Sequence, residues 1–174
     1  MEYPGIIVAA EGLYKGEGGF FQHVIGHEVA HQWWYGLVGN NQVLEPWLDE
    51  ALTNYSTVLY WEAAEGQSSA DYIIGTLFTD PYQRARNSGA DRAVVGPVEG
   101  FSQAQYGDIV YGKGSLFFHA LRQQVGDEVY FEIMERYLSR HKYRLATAAD
   151  LIDTIETVTG QSAKPLTETW LTTP

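Results

Sequence analysis

An apolar helix that carries two imidazoles and a carboxylate constrains this chain more than any other feature. From Phe20 to about Tyr35, the residues Phe20, Phe21, Val24, Ile25, Val29, Trp33 and Trp34 recur at helical spacing. Inside that stretch stands His27-Glu28-Val29-Ala30-His31. Residues four apart share a helix face, so His27 and His31 can converge on one ion. Glu28 lies on the same turn as His27, near enough to reach a water on that ion yet not placed to complete the ligand set, which is the position a general base needs. A third ligand is on offer at Glu50, in Trp47-Leu48-Asp49-Glu50-Ala51. Two His and one Glu are a recurring Zn²⁺ set that leaves a fourth position for water. The plain alternative is a solvated helix face bearing two His and a Glu. The apolar flanks argue against it, because a buried helix does not hold such groups without partners.

Composition narrows the chemistry further. Cysteine is absent, so neither a disulfide framework nor a thiolate metal site is available. The formal net charge of −11 disfavours nucleic acid, whose phosphates call for clustered Lys and Arg. No run of about eighteen apolar residues occurs, so no transmembrane segment is expected. Met1-Glu2-Tyr3-Pro4-Gly5 lacks the basic and apolar regions of a signal peptide, and the compartment is left unassigned. With 45% hydrophobic and 19% charged residues in 174, the chain suits a single globular domain spanning residues 1–174.

The rest of the chain reads as mainly α with one strand near the start. Ile6-Ile7-Val8-Ala9-Ala10 is a short β-branched run after Pro4-Gly5 and predicts that strand. Gly12 to Gly19 predicts a loop, and Gly36 to Glu45 another. Pro46 suits a helix first turn, with Trp47, Leu48, Ala51, Leu52, Tyr55, Val58 and Leu59 on its buried face. A helix is expected from Ser68 to about Arg86, followed by a long loop over Asn87 to Tyr106, a length often tied to function. Val110 to Val125 predicts a helix closed by Gly126, the next runs to about His141, and Thr147 with Asp150 forms a capping box for a helix stopped by Gly160. Pro165 starts a last short helix through Trp170.

With these residues in place, the chain resembles the aminopeptidase N family of gluzincin zinc peptidases over nearly its whole length. The family signature is H-E-x-x-H, eighteen residues, then Glu, and His31 to Glu50 keeps that gap. His31-Gln32-Trp33-Trp34 and Trp47-Leu48-Asp49-Glu50-Ala51 also match. The resemblance implies the helical part of a thermolysin-like catalytic domain, Zn²⁺ held by His27, His31 and Glu50, and Glu28 as base and proton shuttle. Tyr111-Gly112-Lys113-Gly114 matches a Tyr-x-Lys-Gly word whose Tyr donates to the oxyanion, a role chemically suited to a fixed phenol beside a metal. Met1-Glu2-Tyr3 matches part of a Gly-x-Met-Glu-Asn word that anchors the substrate amine. Glu2 is the candidate for that role, although the preceding Gly is absent and Tyr3 stands where Asn is usual.

Outside those words, Asn54 lies one turn after Glu50, which leaves two readings open, a group that orients a ligand imidazole or a simple surface Asn. His23, one turn before His27, is read as a lining or internally satisfied histidine, and His119, His141 and Lys113 are given no chemistry. The resemblance further implies peptide substrates and N- and C-terminal domains of a longer parent, from which these residues are an excised catalytic subdomain. Two rivals to a zinc aminopeptidase stay open. One is a zinc endopeptidase or other hydrolase of the same clan, and the other is a zinc-binding fragment without activity.

Overall fold

A computed structural model describes residues 1–15 and 19–174, with the side chains of Glu2 and Lys15 left aside. Residues 16–18 of the expected Gly-rich loop therefore lie outside the described residues. The architecture is mainly helical, as the periodicity predicts, and it is arranged around one central helix, α2 (Trp47–Glu65). Its apolar residues cover most of its circumference, and Trp47, Leu48, Ala51, Leu52, Tyr55 and Val58 are all buried. A helix of that kind must be enclosed by other elements. Here α1 (Phe20–Ala30), α3 (Gln67–Ile73) and α6 (Gly114–Val125) pack on it. Pro46 precedes α2 with helical backbone angles, and Gly66 ends it at φ +89°, a conformation that Gly takes without a steric penalty.

The strand content is small. The expected N-terminal strand is Ile6–Ile7 (β2), shorter than its β-branched run, and it pairs antiparallel with Glu2–Tyr3 (β1). A second pair, parallel, joins Val38–Gly39 (β3) to Arg144–Leu145 (β4). That pairing lies 106 residues apart in sequence, between Val38 and Arg144, so no local pattern announces it.

The helix expected over residues 68–86 runs from α3 through a widened π segment, Ile74–Thr79, into α4 (Asp80–Asn87). The long stretch that follows holds a 3-10 turn at Val98–Gly100 and a short helix α5 (Gln103–Gln105), capped by Ser102. It is fastened to the end of the chain. Val94 and Val95 donate to the Leu171 carbonyl, and the fully buried Lys113 ammonium reaches Asp91 Oδ1 at 2.9 Å, the Arg92 carbonyl at 3.0 Å and the Thr173 carbonyl at 2.7 Å. A second π segment, Tyr106–Lys113, feeds directly into α6, which ends at Gly126. Next come α7 (Asp127–His141), α8 (Ala148–Thr159) with its Thr147–Asp150 capping box and left-handed Gly160, and α9 (Lys164–Thr167) with a final widened turn, Glu168–Thr172.

One glycine decides where the second π segment sits. A Cβ at Gly114 would stand 2.8 Å from the Cβ of Ala51, closer than real side chains come. Gly114 thus lets the start of α6 lie against α2 beside Glu50, which carries Tyr111, three residues earlier, toward the same place.

Candidate active site

His27 lies in the last turn of α1, and His31 follows as its C-terminal cap with helical angles, φ −60° and ψ −15°. Glu50 projects from the first turn of α2. Three atoms meet between these helices. His27 Nε2 is 3.1 Å from His31 Nε2 and 3.2 Å from Glu50 Oε2, and His31 Nε2 is 3.4 Å from Glu50 Oε2. A tetrahedral zinc with bonds of about 2.0–2.1 Å places its ligand atoms roughly 3.3–3.4 Å apart. The triangle therefore fits a zinc ion, and the donor set of two imidazole nitrogens and one carboxylate is of the right type. Among the described residues, this is the cluster whose spacing suits a metal.

The orientation of His31 is set from outside the triangle. Its Nδ1 lies 3.0 Å from the Trp34 carbonyl, which can only accept, so Nδ1 carries the proton and Nε2 keeps its lone pair for a metal. Thr53 Oγ1 stands 3.2 Å from the same nitrogen. Burial disfavours a charge on His31, but the Glu50 carboxylate more than compensates and its pKa moves up. Burial likewise works against ionised Glu50, yet its hydrogen bonds with His27 and His31 outweigh that and hold its pKa down at about 2. Next door, burial and the Glu50 charge push Asp49 up to about 6, against hydrogen bonds from Gln42 and Asn40, both at 2.8 Å.

Glu28 faces the pocket from α1. Its Oε2 is 2.7 Å from the Met1 ammonium, an ion-pair distance without hydrogen-bond geometry, so that oxygen has no hydrogen-bond donor among the described residues. Tyr111 brings its ring to 5.7 Å from the His27 ring, centroid to centroid. Burial holds its phenol well above the ordinary value, and the neighbouring Glu50 carboxylate adds to the shift. The phenol is thus a proton donor at any ordinary pH. His27, Glu28 and Tyr111 line one pocket of about 410 Å³, walled by apolar Phe20, Val24 and Leu77 and by His23 and Asn54.

Asn54 sits elsewhere than its spacing predicts. Its side chain meets His23 and the Tyr111 carbonyl rather than a ligand imidazole, because the triangle lies one turn back along α2. The Glu2 side chain, the candidate amine anchor, lies outside the described residues, but its backbone belongs to β1. Gln32 holds that strand pair to the end of α1: its Nε2 donates to the Tyr3 carbonyl at 3.1 Å, and its Oε1 accepts from Gly5 N–H at 2.7 Å. Gln32, Thr53 and the Trp34 carbonyl were not singled out by spacing. Gln32 stands in the His31-Gln32-Trp33-Trp34 word, and that word was the signal available for it.

Residues 17–170 match the Peptidase family M1 domain. The chain belongs to that family. It is 26% identical over 158 residues to aminopeptidase N of Lactococcus lactis subsp. lactis, covering 87% of this chain and 18% of the relative. It is 30% identical over 159 residues to tricorn protease-interacting factor F2 of Thermoplasma acidophilum, covering 86% of this chain and 19% of the relative. The chain thus spans under a fifth of the length of these family relatives. Among solved structures, the M1 zinc metallopeptidase of Deinococcus radiodurans is similar with a TM-score of 0.70 at 25% identity, over 87% of this chain and 33% of that one. A mutant form of that peptidase bound to a Tyr-Ser-Ala substrate has the same fold, with a TM-score of 0.70 at 24% identity. No helix among the described residues is long and apolar enough to cross a membrane.

Proposed function

We propose that these residues form the catalytic core of a zinc-dependent aminopeptidase that removes N-terminal residues from peptides. The observation that carries this reading is the triangle of His27 Nε2, His31 Nε2 and Glu50 Oε2, with sides of 3.1, 3.2 and 3.4 Å, beside a Glu28 carboxylate on the pocket wall. His27, His31 and Glu50 would hold the zinc, which would supply a Lewis acid and lower the pKa of a bound water toward neutral.

The remaining work falls to the chain. Glu28 takes the proton from the attacking water and returns it to the departing amine, a task for a carboxylate on the pocket wall. Tyr111 donates to the oxygen on which negative charge builds, and burial keeps its phenol protonated for that purpose. His31 is held in its productive tautomer by the Trp34 carbonyl. Glu2, on the strand pair that Gln32 docks to α1, receives the substrate's α-ammonium by a charge-assisted hydrogen bond. The apolar wall of Phe20, Val24 and Leu77 favours an apolar body on the residue lodged there. The activity belongs to the whole protein, since these residues cover only 18% of the aminopeptidase N they resemble.

Turnover of aminoacyl substrates by the intact protein and by Glu28→Gln, with zinc content measured in both, tests the proposal. The expected result is retained zinc with hydrolysis lowered by at least about 10²-fold, the low end for a proton-transfer group. Unchanged turnover in Glu28→Gln would contradict it. N-acetylated peptides separate the aminopeptidase from an endopeptidase of the same clan, because loss of the free amine should abolish cleavage only in the former.

A further inference from the structure

Three residues that the proposed mechanism leaves idle form a connected chain beside it. His23 lies four residues before His27 on α1, Asn54 four after Glu50 on α2, and Ser115 four after Tyr111 at the start of α6. His23 and Asn54 are therefore each one regular helical turn from a member of the proposed site, on the same face, and Ser115 is tied back to Tyr111 by a hydrogen bond to its carbonyl. All three are buried, at 5%, 4% and 0% exposure.

Their hydrogen bonds run in one direction, and a backbone carbonyl fixes that direction. The Tyr111 carbonyl oxygen can only accept, so the Asn54 amide edge 3.4 Å away must be the NH₂ group. The same Nδ2 lies 3.2 Å from Ser115 Oγ, whose hydroxyl in turn donates to the Tyr111 carbonyl at 2.6 Å, the nearer of two acceptors, the other being the Ala51 carbonyl at 3.2 Å. With its NH₂ committed, Asn54 presents its oxygen to His23, and His23 Nε2 donates to it at 2.9 Å. His23 is thereby the Nε2–H tautomer, and its Nδ1 has no partner among the described residues. The far end of the chain falls where the π segment passes into α6, and there the Tyr111 carbonyl accepts the Gly114 N–H together with the Ser115 and Asn54 donors.

We propose that His23, Asn54 and Ser115 are positioning residues for Tyr111: they hold its backbone, and through it the phenol, at a set place relative to the metal-binding triangle. This rests on the reading of Tyr111 as the oxyanion donor. The three residues act on the transition state through Tyr111, and their hydrogen bonds go to one another and to backbone carbonyls rather than to a metal ligand. A purely structural role would instead lower stability without regard to whether the phenol is present.

A double-mutant cycle on the intact, zinc-loaded protein tests it. His23→Leu and Ser115→Ala should each lower kcat by about tenfold with KM and zinc content unchanged, the scale seen when groups behind a metal site are removed. His23→Gln, which keeps a donor for Asn54, should recover most of the loss. In a Tyr111→Phe background the same substitutions should cost less than about twofold, because the group they position is gone. Nitrogen-15 NMR of His23 gives a readout independent of activity: the expected pattern is protonated Nε2 and bare Nδ1, with or without zinc. Full-sized losses in the Tyr111→Phe background, or a protonated Nδ1, would overturn the inference and leave the reading of the site standing. A Tyr111→Phe protein that turns over as fast as the wild type would overturn both.

Discussion

The two halves of the proposed machinery are delivered by helices of different kinds. The metal-binding triangle comes from regular α-helical turns, the end of α1 and the start of α2, while Tyr111 comes from the π segment Tyr106–Lys113. Regular turns fix side-chain spacing in advance, so His27 and His31 converge because they are four apart. A widened turn fixes no such spacing. Tyr111 reaches the triangle because Gly114 lets α6 close on Ala51 and because Ser115 and Asn54 hold its carbonyl. The two histidines of the proposed metal site are thus set by local helix geometry, whereas Glu50 and the proposed oxyanion donor are brought to them by tertiary packing.

Substitutions can separate the two halves, and the largest effect belongs to the triangle. His31→Phe removes one of three ligands, so zinc measured by atomic absorption should fall from one equivalent to near zero and peptide hydrolysis to background. Retention of stoichiometric zinc would place the metal elsewhere. Tyr111→Phe should keep the zinc and lower kcat by about 10²–10³-fold, the usual cost of losing one oxyanion-hole donor. Steady-state kinetics with zinc analysis on one preparation checks both halves of that statement.

Gly114→Val sharpens the contrast, because it disturbs the delivery of Tyr111 without touching a ligand. The added Cβ meets Ala51 at 2.8 Å, so α6 must shift, at a cost of about 1–3 kcal/mol for overpacking. Thermal unfolding should show that loss, and kcat should drop while zinc affinity falls far less. Equal losses in both would mean that the two halves are one packing unit. The smallest effect is expected far from both, at Thr147→Ala. Loss of the capping box on α8 should cost about 1 kcal/mol by denaturant titration, with turnover per folded molecule unchanged.

The same division explains what could be read without a structure. His27, Glu28 and His31 stand out because spacing on a regular helix is a local property, Glu50 stands out by the word around it and its gap from His31, and Thr147, Asp150 and Gly160 mark the ends of α8 locally. Tyr111 is one tyrosine among twelve, and only the word around it sets it apart. Asn54 invites a role in orienting a ligand imidazole by being one turn from Glu50, yet that turn points it to His23 and the π segment. The N-terminal run Ile6 to Ala10 yields only two paired residues. Gly5 at φ +83° turns the chain back on β1, so that Ile6 and Ile7 pair with Tyr3 and Glu2. The stretch over residues 87–106 reads as a loop because its anchors, the Leu171 carbonyl and the Lys113 ammonium, lie distant in sequence.

Zinc-edge anomalous diffraction from crystals of the intact protein tests the central claim most directly. One peak is expected within bonding distance of His27 Nε2, His31 Nε2 and Glu50 Oε2, with the Glu28 carboxylate beside it and not bound to it. A peak bound by any other set of side chains, or none at the triangle in a protein that hydrolyses peptides, would contradict the account.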